Sequence, residues 1–143
     1  MRLVVYKEVR ARLPRARITA MFEAITNDEA EPDSRAVINL VFTSDRRLRT
    51  LNQTFRRKDA ATDVLSFNLD TSKEPSSTFG EIYISVPTAD RQAAAYGASR
   101  SEEYLRLVCH GLLHLFGYDH TRRADAIEMK RREQLYLAMA MEG

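Results

Sequence analysis

All three histidines of the chain lie in one short string, HGLLHLFGYDH, which runs from His110 to His120. Histidines four positions apart on a helix lie one turn apart on the same face, so the rings of His110 and His114 can reach one ion. Gly117 can adopt the left-handed conformation that ends a helix and reverses the chain, which would return His120 toward the same point. The string therefore predicts a helix and turn built around a metal ion.

The predicted ligands also limit the kind of metal site. Three neutral imidazoles suit a tetrahedral zinc ion whose fourth position is open to water, which is the arrangement of a catalytic zinc. Nitrogen ligands by themselves also admit nickel, copper or iron. The alternative, three ordinary histidines that cap and flank a helix, accounts poorly for a motif that contains every histidine of the chain. We expect one Zn²⁺ per chain, held by His110, His114 and His120.

Apolar residues alternate with period two in some segments and recur at helical spacing in others. Strands are predicted at 2–6, 36–42, 63–69 and 81–86, and a connection from 71 to 80 makes the last two a hairpin-like pair. Helices are predicted after Pro14, after a cap at Thr43 or Ser44, from 87 to 95, from a cap at Ser99 or Ser101 to Gly117, and after Thr121. This order indicates one α/β (α+β) domain over residues 1–143, in which a small mixed four-stranded sheet packs with about five helices.

Composition is that of an ordinary globular protein. Apolar residues make up 44% and charged residues 29% of the 143 residues, which is enough to build a core without disulfides. No apolar run approaches the roughly 20 residues of a membrane span, and the N-terminal segment becomes charged too soon for a secretory signal. The single cysteine, Cys109, fits a reducing compartment. We therefore expect a cytoplasmic protein with no membrane partner.

Positive charge is concentrated in one segment, although the net charge is only +2. Six basic residues and no acidic residue lie between positions 46 and 58: Arg46, Arg47, Arg49, Arg56, Arg57 and Lys58. These side chains either form a track for phosphates that leads to the metal, or form the solvated face of a helix. The sequence leaves both interpretations open.

The histidine string resembles the zinc-binding helix and turn of metzincin proteases, HExxHxxGxxH. Gly111 occupies the position at which those enzymes carry a glutamate base. Zinc lowers the pKa of a coordinated water toward neutrality, so hydrolysis does not require a strong protein base. The glycine therefore counts against peptide hydrolysis but not against a zinc-dependent hydrolase.

A second stretch points to a particular family. It consists of Leu51-Asn52, Phe55-Arg56, Lys58-Asp59 and the string TDVLSF from Thr62 to Phe67. Together with HGLLHLFGYDH, this order resembles the YbeY-type endoribonuclease family, and Gly80-Glu81-Ile82 and Met129 extend the resemblance more loosely over the chain. The sequence departs from the family pattern at Arg57, Ala61, Asn68 and Glu81.

The resemblance implies a metal-dependent, single-strand-type endoribonuclease that acts in ribosomal RNA processing, at the end of the small-subunit 16S RNA, and in ribosome quality control. The implied partners are ribosomal RNA and the small ribosomal subunit, with no DNA. It assigns the metal to the three histidines and puts Arg56 in the same cleft. We predict Arg56 and His114 as catalytic residues, because a planar, permanently charged guanidinium suits a phosphate that gains negative charge. Either a metal-bound water or the neighbouring 2′-hydroxyl can be the attacking group.

Two alternatives to a nuclease remain. One is a metzincin-like metalloprotease, for which Gly111→Glu should matter greatly, whereas it should matter little for a nuclease. The other is a non-catalytic ribosome-assembly factor in which zinc only pins the helix to the turn, so that removal of the metal would unfold the protein.

Three further residues near the motifs each have two interpretations, and two more have one expected position. Asp119 either orients an imidazole or caps the last helix, and Tyr118 either brings its hydroxyl to the metal or packs in the turn. Ser66 either faces the cleft or binds backbone. Cys109 should point away from the ligand face, and Met129 is expected in the core.

Overall fold

A computed structural model describes residues 1–56, 62–69 and 78–142. Within these residues, strands and helices alternate along the first part of the chain, and helices fill the last part. The elements are β1 (Arg2–Lys7), α1 (Arg15–Glu29), β2 (Val37–Thr43), α2 (Asp45–Arg56), β3 (Val64–Asn68), β4 (Thr78–Ser85), α3 (Val86–Tyr96), α4 (Arg100–Leu115) and α5 (Arg123–Glu142). The predicted α/β class, with a mixed sheet of four strands and five helices, is confirmed.

The four strands form one sheet in the order β1-β2-β4-β3. β1, β2 and β4 run parallel, and β3 pairs with β4 in the antiparallel sense, as predicted for a hairpin-like pair. β4 begins at Thr78, however, and not at residue 81, because residues 78–80 continue the pairing with β2 and β3. The rest of the predicted connection, residues 71–77, lies outside the described residues.

The main core lies between one face of the sheet and three helices. Alternation along β2 turns Ile38, Leu40 and Phe42 toward this face, where none of the three is exposed. Ile82 and Ile84 of β4 join them, and α1, α4 and α5 supply the other side of the core. Met129 is buried there, as expected, and so is Cys109.

The opposite face of the sheet carries a smaller apolar cluster beneath α2. Leu48 and Leu51 of this helix pack against Leu65 of β3, with Phe67 and Tyr83 partly buried beside them. The helix begins after Ser44, whose hydroxyl accepts a hydrogen bond from the backbone N–H of Arg47 at 3.2 Å. Of the two predicted caps, Ser44 is therefore the one used.

Helix α4 has well-defined ends. The side chain of Ser99 accepts a hydrogen bond from the backbone N–H of Glu102 at 3.1 Å, so Ser99 and not Ser101 is the cap. At the other end the helix stops at Leu115, and Gly117 takes a φ of 95°, which favours glycine. The predicted reversal at Gly117 is confirmed.

Among the described helices, none combines the length and the apolar character that a membrane crossing requires.

Gly111 is the point at which α4 approaches the sheet most closely. A Cβ atom added there would lie 2.7 Å from Cγ2 and 3.2 Å from Cδ1 of Ile82, a side chain with no exposure. It would also lie 3.2 Å from Oγ of Ser66. Only a glycine lets the helix rest on β4 at this distance.

We therefore predict that Gly111→Ala destabilises the fold. Alanine in place of glycine in an exposed helix stabilises by about 1 kcal/mol, whereas overpacking a close-packed core costs about 1–3 kcal/mol. Because the clash involves a branched side chain that is fully buried, the overpacking cost should exceed the helix gain. Thermal denaturation should show a lower Tm for Gly111→Ala, and a raised Tm would contradict the packing described here.

Candidate metal centre

Helix α4 brings the first two histidines of the motif together on one flank. The Nε2 atoms of His110 and His114 lie 3.1 Å apart, and their ring centroids lie 4.6 Å apart. His120, on the turn after the helix, has its ring centroid 5.8 Å from that of His110 and 5.3 Å from that of His114. One ring nitrogen from each residue falls within 4.8 Å of the other two. The structure thus brings together the three histidines singled out in the sequence.

These distances fit a metal ion bound by imidazoles. A tetrahedral ion with nitrogen ligands at about 2.0–2.1 Å holds neighbouring ligand atoms about 3.4 Å apart, close to the 3.1 Å observed between His110 and His114. Two ring nitrogens at this separation need a proton or a cation between them. The first two rings are half-buried and that of His120 is exposed, so the group can hold a metal ion and leave one side open to solvent.

Glu133 of α5 fixes the tautomer of His110. The Nδ1 atom of His110 lies 2.7 Å from Oε1 of Glu133, and an ionised carboxylate can only accept. Nδ1 must therefore carry the proton, which leaves the lone pair of Nε2 directed toward His114. A carboxylate behind a metal-binding histidine typically orients the ring and increases its basicity. Sequence analysis missed Glu133, because nothing in the local pattern of α5 indicates which residue faces α4.

The surroundings of His114 favour its neutral form. Burial lowers the pKa of His114 below its ordinary value, and the neighbouring imidazoles of His110 and His120 lower it further. A neutral imidazole is the form that binds a metal, so protons compete less well at this position than at an isolated histidine.

The turn that carries His120 is held by several hydrogen bonds. The backbone N–H of Gly117 donates to the carbonyl of His114 at 3.0 Å, and the hydroxyl of Tyr118 donates to Glu29 of α1 at 2.6 Å. The Tyr118 hydroxyl is thus committed to α1, as expected for a packing role. Asp119 accepts from the backbone N–H groups of His120 and Thr121 at 2.6 and 3.0 Å.

The expectation for Asp119 needs correction. Its bonds lie within the turn, and α5 begins only at Arg123, so Asp119 neither caps that helix nor orients an imidazole. An aspartate shortly before a helix resembles a cap, but three residues separate Asp119 from the first residue of α5. Its role is to shape the backbone that presents His120.

Arg56 is the last residue of α2 and lies against β3. Its Nη2 donates to the backbone carbonyl of Ser66 at 3.3 Å, and its guanidinium carbon lies 5.9 Å from the ring centroid of Phe67. The hydroxyl of Ser66 in turn donates to the carbonyl of Gly111 at 3.3 Å, as expected if this hydroxyl binds backbone. Through Ser66, two successive hydrogen bonds join Arg56 to α4 between His110 and His114.

Other residues from the sequence motifs have structural partners. Asn68 donates to the carbonyl of Leu115 at 3.1 Å, which ties β3 to the end of α4. Glu81 accepts from Asn39 at 3.1 Å and from Tyr83 at 3.0 Å. Because neighbouring strand residues alternate and Ile82 faces α4, Glu81 belongs to the opposite face of the sheet.

The predicted basic track is described only in part. Its exposed side chains on α2 are those of Arg46, Arg47 and Arg49. Arg57 and Lys58, and also the departure from the family pattern at Ala61, lie outside the described residues.

Gly111 also bears on the protease alternative. At this position a metzincin carries its glutamate, but here the side-chain direction leads into Ile82. Gly111→Glu would disrupt the packing of α4 on the sheet before it tested any chemistry. The substitution suggested by the sequence is therefore the wrong discriminating experiment for this fold.

Comparisons with known proteins agree on one family. The family model described as Endoribonuclease YbeY matches residues 5–140. The Endoribonuclease YbeY of Anaeromyxobacter dehalogenans is 42% identical over 123 residues, which is 86% of this chain but only 61% of that protein's length. The protein of the same name from Thermus thermophilus is 44% identical over 107 residues, covering 71% of this chain and 75% of its own. The solution structure of TM1509 from Thermotoga maritima matches with a TM-score of 0.67 and 27% identity, over 96% of this chain and 88% of that one.

We predict that Glu133 strengthens metal binding. Loss of a carboxylate behind a ligating histidine typically weakens metal affinity by about 10- to 100-fold. Glu133→Ala should show such a loss in competition with a chromogenic chelator, and Glu133→Gln, which can still accept from Nδ1, should lie between it and the wild type. Glu128→Ala is the matched control, because Glu128 is a carboxylate of the same helix that pairs with Arg132. Equal affinities for all four proteins would contradict the role given to Glu133.

Proposed function

Because the chain belongs to the YbeY family of endoribonucleases, we propose that it is a zinc-dependent endoribonuclease of ribosomal RNA maturation. The observation that carries the proposal is the group of three histidines with ring nitrogens within 4.8 Å of one another. The chain spans about three fifths of the length of the first curated relatives it matches, so the proposed activity rests on the residues of this chain.

The ligand chemistry supports zinc. Three neutral nitrogen donors with an open side are the ligands of a catalytic zinc site, in which water fills the fourth position. Cys109, the one thiol of the chain, is buried in the core and is not one of the grouped ligands. The site we propose therefore holds one Zn²⁺ per chain through His110, His114 and His120.

Each residue of the site has a separate task in RNA cleavage. A bound zinc ion supplies Lewis acidity and lowers the pKa of a coordinated water toward neutrality. Glu133 holds His110 in the tautomer that offers Nε2, and the Asp119 turn presents His120. Arg56 binds the phosphate and stabilises the negative charge that develops on the phosphate oxygens, which is an electrophilic role. The second residue proposed as catalytic is His114, which binds the metal. A guanidinium carries five N–H donors, so the contact with Ser66 leaves donors for the phosphate.

The substrate we propose is single-stranded ribosomal RNA of the small subunit, including the 16S end, encountered in the cytoplasm on the subunit itself. The name of the relatives supports RNA as the substrate class, and the exposed arginines of α2 support binding to a phosphate backbone. Residues 1–143 act as one catalytic domain in this proposal. We expect neither DNA nor a membrane among the partners of this protein.

The structure also bears on the two alternatives. A protease of metzincin type needs a base at the position of Gly111, and that position points into the core. An assembly factor in which zinc only pins the turn needs the metal for folding. Here Gly117, Tyr118 and Asp119 already fix the turn through hydrogen bonds, which supports a catalytic use of the metal. Folding should therefore survive chelation.

We expect His114→Ala to lose both zinc and RNA cleavage, and Arg56→Ala to lose cleavage alone. Removing one donor that stabilises charge in the transition state typically costs about 10²- to 10³-fold in rate. The measurement is single-turnover cleavage of a single-stranded ribosomal RNA fragment, with zinc content determined on the same samples. Arg46→Ala is the control for the loss of one positive charge, because it removes an exposed arginine at the other end of the same helix, and saturating enzyme removes any effect on binding from the rate.

Three results would contradict the proposal. Cleavage by a zinc-free His114→Ala protein would exclude a metallonuclease. Equal rates for Arg56→Ala and Arg46→Ala would remove the specific role of Arg56. Unfolding of the wild type by a chelator would favour the assembly factor.

A further inference from the structure

Phe55 is a large apolar side chain that the fold leaves on the surface. On α2 it follows Leu48 and Leu51 at helical spacing, which predicts three residues on one buried face. Leu48 is fully buried and Leu51 is 8% exposed, yet Phe55 is 66% exposed. Phe55, the last apolar residue of the helix, therefore lies outside the buried cluster that contains Leu48 and Leu51.

We propose that Phe55 is a stacking site for an unpaired RNA base, next to the arginine that binds the phosphate. This proposal rests on the endoribonuclease function above and assigns a binding residue for its substrate. The ring is the contact surface, and the ligand is the flat face of a nucleobase in a single-stranded segment.

The ring of Phe55 is supported from one side. Its centroid lies 5.4 Å from that of Phe67 in an edge-to-face arrangement, and Phe67 makes a similar contact with Tyr83 at 6.0 Å. An aromatic side chain has only two rotatable bonds, and this contact restricts them further. Phe55 is therefore an oriented platform, and a base that stacks on it pays little additional entropy.

The neighbouring charges select a nucleotide over an apolar ligand. Arg56 follows Phe55 directly, and its guanidinium lies over the ring of Phe67, 5.9 Å from its centroid. A ligand on Phe55 therefore has a permanent cation beside it, as the phosphate of a nucleotide requires. Arg46 and Arg47 lie at the other end of α2, where Arg47 pairs with Glu8 at 4.0 Å, so Arg56 is the arginine of this helix that serves a ligand on Phe55. A single ring beside an arginine offers too little apolar area for a protein segment.

The same geometry selects unpaired RNA over a duplex. In a duplex both faces of each base are stacked, whereas bases in loops and single strands are free to stack on aromatic side chains. Arg56 bonds to Ser66, and Ser66 bonds to Gly111 between two of the histidines. A strand whose phosphate Arg56 binds would thus place a base on Phe55 at the edge of β3.

The test is the affinity of metal-loaded protein for a 2′-O-methyl oligoadenylate of about 12 nucleotides, checked on a gel for intactness after titration. Base stacking on an aromatic residue typically contributes about 5- to 150-fold in affinity. Phe55→Leu should weaken binding by this factor, and Phe55→Tyr should bind like the wild type. Tyr96→Leu is the matched control, because Tyr96 is an aromatic residue that is 75% exposed on α3.

Salt dependence separates stacking from charge. Each phosphate contact on a single strand contributes about 0.7 to the slope of log affinity against log salt. Phe55→Leu should lower the affinity equally at all salt concentrations and leave the slope unchanged, whereas Arg56→Gln should reduce the slope. Thermal denaturation of Phe55→Leu should match the wild type, since the ring is mostly exposed.

The outcomes distinguish this inference from the proposed function. Wild-type binding and cleavage with no loss in Phe55→Leu would overturn the stacking site and leave the nuclease intact. An equal loss in Phe55→Leu and Tyr96→Leu would also overturn it, because the effect would then belong to any exposed aromatic. A wild type that neither binds nor cleaves RNA would overturn both proposals.

Discussion

The contact between Gly111 and Ile82 determines where α4 lies, and the histidine group depends on that position. With no side chain at Gly111, the helix rests directly on β4. The carbonyl of Gly111 accepts a hydrogen bond from the hydroxyl of Ser66 on β3. Gly111 lies between His110 and His114 in sequence, so the same contact positions the flank of α4 that carries both histidines. Any larger residue would lift the helix, which would separate its histidines from Ser66 and from the arginine that Ser66 binds.

The second requirement is the position of α5 and of the turn before it. Two carboxylates at the end of α1 hold them: Glu29 accepts from the hydroxyl of Tyr118 at 2.6 Å, and Asp28 accepts from that of Tyr136 at 2.7 Å. Burial raises the pKa of Tyr118 to about 12, so this hydroxyl remains a donor at neutral pH. With α5 held in this way, Glu133 meets Nδ1 of His110. Helices distant in sequence thus fix the tautomer of one histidine.

The parts that sequence predicted are those governed by local spacing. Histidines at positions 110 and 114 share a helix face by geometry alone, Gly117 marks the reversal through its backbone freedom, and Ser99 precedes a helix it can cap. Tertiary packing decided the rest. Glu133 reaches His110 from a helix 23 residues further along the chain. The close approach of α4 at Gly111 depends on the position of β4. The exposure of Phe55 depends on how far the apolar cluster beneath α2 extends. Asp119 shows the limit of motif reading, because a residue that resembles a helix cap here forms a turn.

The proposed function depends on three histidine nitrogens that bind one metal ion, with Arg56 linked to their helix through Ser66. X-ray absorption at the zinc edge, on protein loaded with one equivalent of zinc, identifies the ligands of that ion. Three imidazole nitrogens and one further light atom are expected at about 2.0–2.2 Å. A sulfur ligand at about 2.3 Å, or a shell of water oxygens without imidazole scattering, would contradict it.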